Sequence, residues 1–435
     1  MKKILKFLLK VCILIAVIYG IIYCIKNKNI KDIFKMLENE KINIEEYYIY
    51  GTHFNINGKL SIIDTSEIKD VKISFLQNNK KETEYKCIYK VDDKNIEIST
   101  SEFINHGIYL EDINYGQYYI FIKIYYNNDT IKYYTFNENN TSYKDLEYFT
   151  ITQNGKNKKI DICFEKKKMQ NKEIPYIIIL CKKTKLPEEV YDISIDPGHG
   201  GSDPGATNGE YKEADIAIEY GILIKEKLEE LGLKVILTRD GTEDDTYSLY
   251  STYNYNGRVN VVGRARAKYN LSIHLNSLDV NTVSGTEIYA PPNAELGFAQ
   301  AFADNIVNIA KTSYSTRTIN KTLNGVYVRT FTKEEIIESA KNAEKDGYLP
   351  YNITTETPYL YMIREVGGIV TKAYIDGRNK AYGINEYYNS NIGVESYLIE
   401  LGYINNQKDL NNILNNKELY IKAIEKTVEE HICNN

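Results

Sequence analysis

The 435-residue sequence holds no tryptophan, 8 prolines, 6 cysteines and 5 histidines. So few cysteines in so long a chain, with no Cys-x-x-Cys among them, exclude a disulfide-dense scaffold and a cysteine-based zinc knuckle. Cys12 and Cys24 fall in an apolar run, Cys87, Cys163 and Cys181 in strand-like segments and Cys433 near the end, so buried free thiols are the expected state. Arginine is scarce as well. All 8 arginines, from Arg239 to Arg378, lie in the second half, and no basic stretch with interleaved aromatics accompanies them, which argues against nucleic acid as a partner. With 43% apolar and 26% charged residues the chain has the composition of a globular protein with a sizeable core.

Charge divides the chain. Up to Lys185 there are 30 lysines against 23 acids, a net +7; beyond it 24 basic residues meet 36 acids, a net −12. A mildly basic first half suits an anionic surface, membrane or wall, and equally a solvated lysine-rich face. From Phe7 to Ile25 every residue except Lys10 is apolar, and about 19 helical residues reach roughly 28 Å, close to a bilayer's hydrocarbon thickness. Lys2, Lys3, Lys6 and Lys10 at its start hold that end in the cytoplasm and place the bulk of the protein outside. The run ends Tyr23-Cys24-Ile25 without a small-x-small cleavage site, so it reads as an uncleaved membrane anchor over residues 1–28 rather than a signal peptide.

Residues 29–44 read as a linker. From 45 to 184, short runs rich in Tyr, Ile, Val and Phe, such as Val71 to Leu76, Tyr85 to Val91, Gln117 to Tyr126 and Lys159 to Phe164, alternate with Asn, Asp and Gly clusters, which predicts an all-β sandwich-like module. It carries no recognisable chemistry: His53 and His106 stand without partnered acids and are not ligand candidates. After Lys182 the pattern becomes strand and helix in alternation, with a helix near Lys212 to Leu231, strands near Val235 to Thr238, Leu271 to His274, Gly285 to Ala290 and Ser396 to Ile399, and a last helix near Glu418 to His431. That is an α/β domain, a mostly parallel sheet flanked by helices, over 185–435. His431, in a polar final turn, reads as a solvated cation.

Two histidines remain. His199 stands in Asp196-Pro197-Gly198-His199-Gly200-Gly201 directly after a strand, and His274 ends another in Ser272-Ile273-His274-Leu275-Asn276, while Glu213 opens the helix after the glycine loop. Two imidazoles and one carboxylate hold Zn²⁺ with a coordination position left open, where bound water becomes acidic enough to attack at neutral pH. Glu400, after the apolar strand residues Tyr397-Leu398-Ile399, faces the same sheet edge and suits a general base that takes the water's proton and returns it to a leaving nitrogen.

These runs, with Asp203, Gly205-Ala206, Glu213-Ala214-Asp215, Thr238-Arg239-Asp240, Gly285-Thr286-Glu287-Ile288-Tyr289 and the Ile399–Asn406 segment, resemble the zinc-dependent N-acetylmuramoyl-L-alanine amidase family, type 3 catalytic domain, across roughly 191–432. The resemblance implies one zinc held by His199, Glu213 and His274, Glu400 as catalytic residue, and peptidoglycan as substrate, cut between N-acetylmuramic acid and the first alanine of the stem peptide. With the apolar run as anchor, the expected location is the cell membrane of a Gram-positive bacterium, single-pass with the catalytic domain extracytoplasmic, and a wall polymer or a protein partner stays open for the β-module. Two alternatives stand: a zinc peptidase acting within the stem peptide, and an inactive wall-binding or regulatory protein. Departures are a long insertion at about 324–391, either a groove wall or lid or inert packing, and Lys268, which replaces an acid usual near that strand; Arg258 matches the family's helix arginine.

The unbroken run predicts that the full-length protein sediments with membranes and keeps its bulk accessible from outside. A mature N-terminus just after residue 25, read by terminal sequencing, would overturn the anchor.

Overall fold

The computed structural model describes residues 27–433 apart from short stretches, the longest of which are 138–144, 245–256 and 369–391. The apolar run Phe7 to Ile25 lies outside the described residues, as does His106; among those described, no helix is long and apolar enough to cross a membrane.

The first half folds as a continuous, mostly antiparallel sheet whose main path runs Leu146–Phe149, Lys158–Met169, Lys172–Lys183, Gly116–Tyr126, Ile131–Phe136, Leu37–Tyr50, His53–Ser61, Asn95–Ser99 and Ile88–Asp92. Its two arms face one another over a shared core. Ile44, Ile49, Phe54 and Ile56 from one arm meet Ile73, Phe75, Ile120, Ile122 and Ile177 from the other. Alternation sends Phe121, Tyr133, Tyr176 and Ile178 to the outer face, where Ile30, Ile33 and Phe34 of the helix Ile30–Met36 cover them. Residues 29–44 are therefore not a linker: they supply that helix and the first half of the strand Leu37–Tyr50. The stretch Tyr85 to Val91 is not one strand either. It breaks at Cys87, which is buried, so that Thr83–Lys86 pairs with Ile68–Leu76 and Ile88–Asp92 with Asn95–Ser99.

In the C-terminal half we number β1 (Ile193–Pro197), α1 (Glu213–Glu230), β2 (Val235–Leu237), α2 (Arg258–Arg264), β3 (Tyr269–Asn276), β4 (Glu287–Tyr289), α3 (Leu296–Ala310), β5 (Lys321–Leu323), β6 (Val326–Tyr327), α4 (Lys333–Lys345), α5 (Tyr361–Val366), β7 (Glu395–Tyr403), α6 (Gln407–Asn415) and α7 (Lys417–Val428). The sheet order is β2-β1-β3-β7-β4-β6-β5. Four pairings are parallel; β7 with β4 and β6 with β5 are antiparallel, so the sheet is mixed. Helix α1 buries Ile216, Tyr220, Ile224 and Leu228, one residue per turn, and joins α3 and α7 over Ile195, Leu271, Ile273, Ile288 and Ile399. The other face carries α2 and α5, through Val259, Val262, Met362 and Val366 and through Ile363 against Tyr289 and Leu398. The insertion is thus partly structural: β6 belongs to the sheet and α5 to a covering layer, while α4 buries none of its side chains.

The last turn, Glu429–Cys433, corrects the expectation for His431. Its π-helical winding turns the ring inward, stacked on Phe298 with centroids 3.8 Å apart and planes 7° from parallel.

The two halves meet at the N-terminal ends of β1, β3 and β7. Ile392–Gly393, just before β7, adds in parallel to Ile49 and Tyr50 of the β-module, and Gly51 N–H donates to Gly393 C=O at 2.9 Å. Thr52 Oγ1 meets Tyr269 OH at 3.0 Å, and Thr152 N–H donates to Asp192 Oδ1 at 3.1 Å. Lys268 is almost fully buried 3.4 Å from Asp192 and lies over the Tyr148 ring, while Arg266 pairs with Glu147. Lys268 therefore serves the joint between the halves. Separating segment 185–435 removes the Thr152 N–H from Asp192 and the Tyr148 ring from Lys268, and a hydrogen bond to a charged group is worth about 1.5–3 kcal/mol. Its urea midpoint should fall below that of the same half within the whole protein; equal midpoints would show that the joint contributes nothing.

Candidate metal centre

The loop after β1 is held by buried charge. Asp196, wholly buried at the end of β1, accepts from Arg258 Nε and Nη2, Thr238 Oγ1 and Ser272 Oγ, all at 2.6 Å. Burial alone would raise its pKa, but the Arg258 guanidinium and the two hydroxyls outweigh this and hold the carboxyl below the usual range. Arg239 donates to the carbonyls of Pro197, Gly198 and Ala214 at 2.9, 2.8 and 2.7 Å, clamping the loop to the start of α1. Neither Asp196 nor Arg239 was assigned a role from sequence. The available signal was a carboxylate in a strand that buries Ile193 and Ile195 beside it, where a charge has to find a cation.

His199 stands on this loop with φ of +61°, a strained conformation for a residue with a side chain. Asp203 Oδ2 lies 2.9 Å from its Nδ1, and Glu213 Oε1 lies 3.1 Å from its Nε2. Glu213, the first residue of α1, is fixed by Ala206 N–H on Oε2 at 2.9 Å and Leu275 N–H on Oε1 at 3.0 Å. His274 Nδ1 lies 2.9 Å from the same Oε1. Burial would raise the Glu213 pKa, yet the two imidazoles overcome it and hold the carboxyl far below its ordinary value. For His199, burial is outweighed by Glu213 and Asp203 and the pKa rises; for His274, burial prevails and it falls.

One donor atom from each of His199, Glu213 and His274 lies within 4.8 Å of the others. Ligand bonds of about 2.0–2.2 Å put the donors of one zinc ion roughly 3.4 Å apart, so this set fits the ion in size and in chemistry. Two glycines make the room. A Cβ on Gly198 would sit 2.4 Å from His274 Cε1, and one on Gly205, whose φ is +66°, would meet His199 Cδ2 at 2.6 Å and Glu213 Oε2 at 2.7 Å.

Glu400 was expected at a strand end; β7 continues to Tyr403, so it stands inside the strand, in register with His274 on one side and Glu287 on the other. The three side chains share one face. Glu400 Oε2 is sealed from solvent and has no hydrogen-bond partner among the described residues. Burial, then the neighbouring Glu213 and Glu287 carboxylates, push its pKa well up, partly offset by Arg317. Glu287, fully buried, accepts from Asn276 Nδ2, Tyr289 OH, Ser315 Oγ and Tyr403 OH. Outside the cluster, His53 meets Thr52 Oγ1 at 3.1 Å in the β-module.

A family model described as N-acetylmuramoyl-L-alanine amidase matches residues 193–432. The chain belongs to the N-acetylmuramoyl-L-alanine amidase family. The germination-specific N-acetylmuramoyl-L-alanine amidase of Bacillus subtilis is 32% identical over 114 residues, 25% of this chain and 48% of that relative. The sporulation-specific amidase of the same organism is 39% identical over 87 residues, 20% of this chain and 31% of its own length. The chain thus spans about half or less of these curated relatives. The solved catalytic domain of the amidase CwlV from Bacillus (Paenibacillus) polymyxa is 18% identical over 56% of this chain and 99% of that one, with a TM-score of 0.35, too low to bear on this fold.

Removing the support of His199 should show in metal uptake. Asp203→Ala is expected to weaken zinc binding about 10- to 100-fold, and Gly205→Ala, which drives a methyl into His199 and Glu213, to weaken it further. Isothermal titration of zinc into the metal-free protein reads both; unchanged affinity in the two variants would refute the assignment of the centre.

Proposed function

We propose that the protein is a zinc-dependent peptidoglycan amidase that hydrolyses the bond between N-acetylmuramic acid and the L-alanine of the stem peptide. The observation that carries this reading is the convergence of His199, Glu213 and His274 beside a sealed, unpartnered Glu400 carboxylate oxygen on the adjoining strand. When bound by the three ligands, zinc supplies Lewis acidity at the scissile carbonyl and a water more acidic than bulk solvent.

The chain's own residues do the rest. Asp203 fixes the His199 proton on Nδ1 and so keeps Nε2 available as a ligand. The backbone N–H groups of Ala206 and Leu275 hold the Glu213 carboxylate in place. Glu400 takes a proton from the attacking water and delivers it to the leaving amide nitrogen; burial and the neighbouring carboxylates, which raise its pKa, make its carboxylate a stronger proton acceptor than an exposed one. The same reading places the protein in the cell membrane through the run Phe7 to Ile25, with the amidase domain outside and the β-module between the two, in contact with wall polymer or a protein partner.

Digestion of defined muropeptides by the intact protein tests the reaction. The expected product is a lactyl-ended glycan with a free L-alanine amino terminus on the peptide; shortened peptides instead would make it a peptidase, and no product would make it a binding protein. His199→Ala and His274→Ala should lose zinc and activity together. Glu400→Gln should keep about one zinc per chain and lose on the order of 10²-fold or more in rate. If Glu400→Gln empties the site, that residue is a ligand; if it stays near wild-type rate, it is not the base.

A further inference from the structure

The three carboxylate and imidazole side chains on the polar face of the sheet line up strand by strand: His274 on β3, Glu400 on β7, Glu287 on β4. Strands are about 4.8 Å apart, so the line leads from the metal centre past Glu400 and one strand further to the loop after α3. There Arg317 stands. Its Nη1 donates to Tyr289 OH at 2.9 Å, and its backbone is pinned at both ends, the N–H to Ser315 Oγ at 3.1 Å and the C=O by Tyr327 OH at 2.8 Å. Tyr403 OH accepts a second hydrogen bond from the guanidinium.

The Arg317 guanidinium is not consumed by Glu287. The closest approach between them is 3.7 Å, inside ion-pair range but beyond hydrogen-bond length, and Glu287 is already served by four other donors. A guanidinium carries five N–H donors in a planar fork that matches a carboxylate. With 22% of its side chain still open to solvent, Arg317 keeps donors uncommitted among the described residues, on the far side of Glu400 from the metal ligands. A buried arginine that only neutralised Glu287 would be hydrogen-bonded to it and closed off; this one is neither.

We propose that Arg317 is the substrate-anchoring residue of this site and binds a carboxylate on the peptide side of the scissile amide. The proposal rests on the amidase reading of the site. With the amide carbonyl at the metal ligands and its nitrogen at Glu400, the next residue of the peptide extends over Glu287 toward Arg317. The guanidinium then fixes the direction in which the peptide crosses the sheet edge, so that the nitrogen, not the carbonyl, meets Glu400. The Tyr289 and Tyr327 rings, whose hydroxyls hold the Arg317 side chain and backbone, pack with centroids 5.5 Å apart.

The test uses the full chain with zinc and two muramoyl peptides that differ in one group, a free carboxylate or its amide on the residue after the alanine. The wild type should prefer the carboxylate peptide, with kcat/KM about 10- to 100-fold higher, the range expected of a charge-assisted hydrogen-bonded pair. Arg317→Gln should bring the carboxylate peptide down to the level of the amide, mainly through KM, and Arg317→Lys should restore part of the preference. If Arg317→Gln lowers both peptides equally and leaves their ratio intact, the residue only supports the fold and the proposal is overturned; so too if the wild type shows no preference. Calorimetric binding of the same peptides to Glu400→Gln, with and without Arg317→Gln, is read alongside. Binding of the carboxylate peptide that depends on Arg317 without cleavage by the wild type upholds the anchor and overturns the amidase reading; binding indifferent to Arg317 overturns the anchor.

Discussion

The carboxylate of Glu213 draws together three segments that are distant in sequence. One oxygen is shared by the imidazoles of His199 and His274 and by the Leu275 amide, and the other takes the Ala206 amide. Because Glu213 opens α1, its carboxylate also sits where a helix's unsatisfied N–H groups and positive end stabilise negative charge. The loop after β1, the end of β3 and the start of α1 are fixed relative to one another by this group. Everything further along the edge, Glu400 included, is positioned against that corner.

Around the corner the protein spends buried charge on shape. Asp196 and Arg258 lie beneath the sheet edge, Arg239 clamps the loop carbonyls, and Glu287 gathers four donors under the neighbouring strand. A buried ion pair adds little net stability over an apolar pair of similar volume. What these groups provide is direction, since each hydrogen bond fixes an angle as well as a distance. His199 can occupy a left-handed backbone conformation only because the loop on both sides of it is held in this way.

Much of this was legible in the sequence, and what was not has physical causes. The α/β alternation, the glycine loop that carries His199, the helix start that carries Glu213, and the break in character near Lys185 can all be read from periodicity and glycine placement, whereas β3 runs two residues past His274. The placement of Glu400 inside β7 could not be, because the apolar pattern Tyr397 to Ile399 looks the same whether a strand stops or continues through a polar residue paired across the sheet. Cys87 interrupts a run that reads as one strand, because a buried small residue fits a crossover between sheets as well as a strand interior. The helix Ile30–Met36 is too short for periodicity to show, and its apolar residues Ile30, Ile33 and Phe34 make sense only once the aromatic outer face of the β-module is seen. His431 looked solvated because the residues around it are charged; the unusual winding of the last turn, which no local pattern encodes, turns it onto Phe298.

The short pairing of Ile392–Gly393 with Ile49 and Tyr50 bears on how such a protein can be assembled in evolution. A domain that moves between genes as a cassette must carry its whole fold between two cut points. Here the two residues just before the strand that bears Glu400 pair with the sheet of the β-module. A cassette cut at Lys185 would take that strand without the edge against which its entry is aligned, and recombination that joins the amidase half to a new neighbour would have to rebuild the seam.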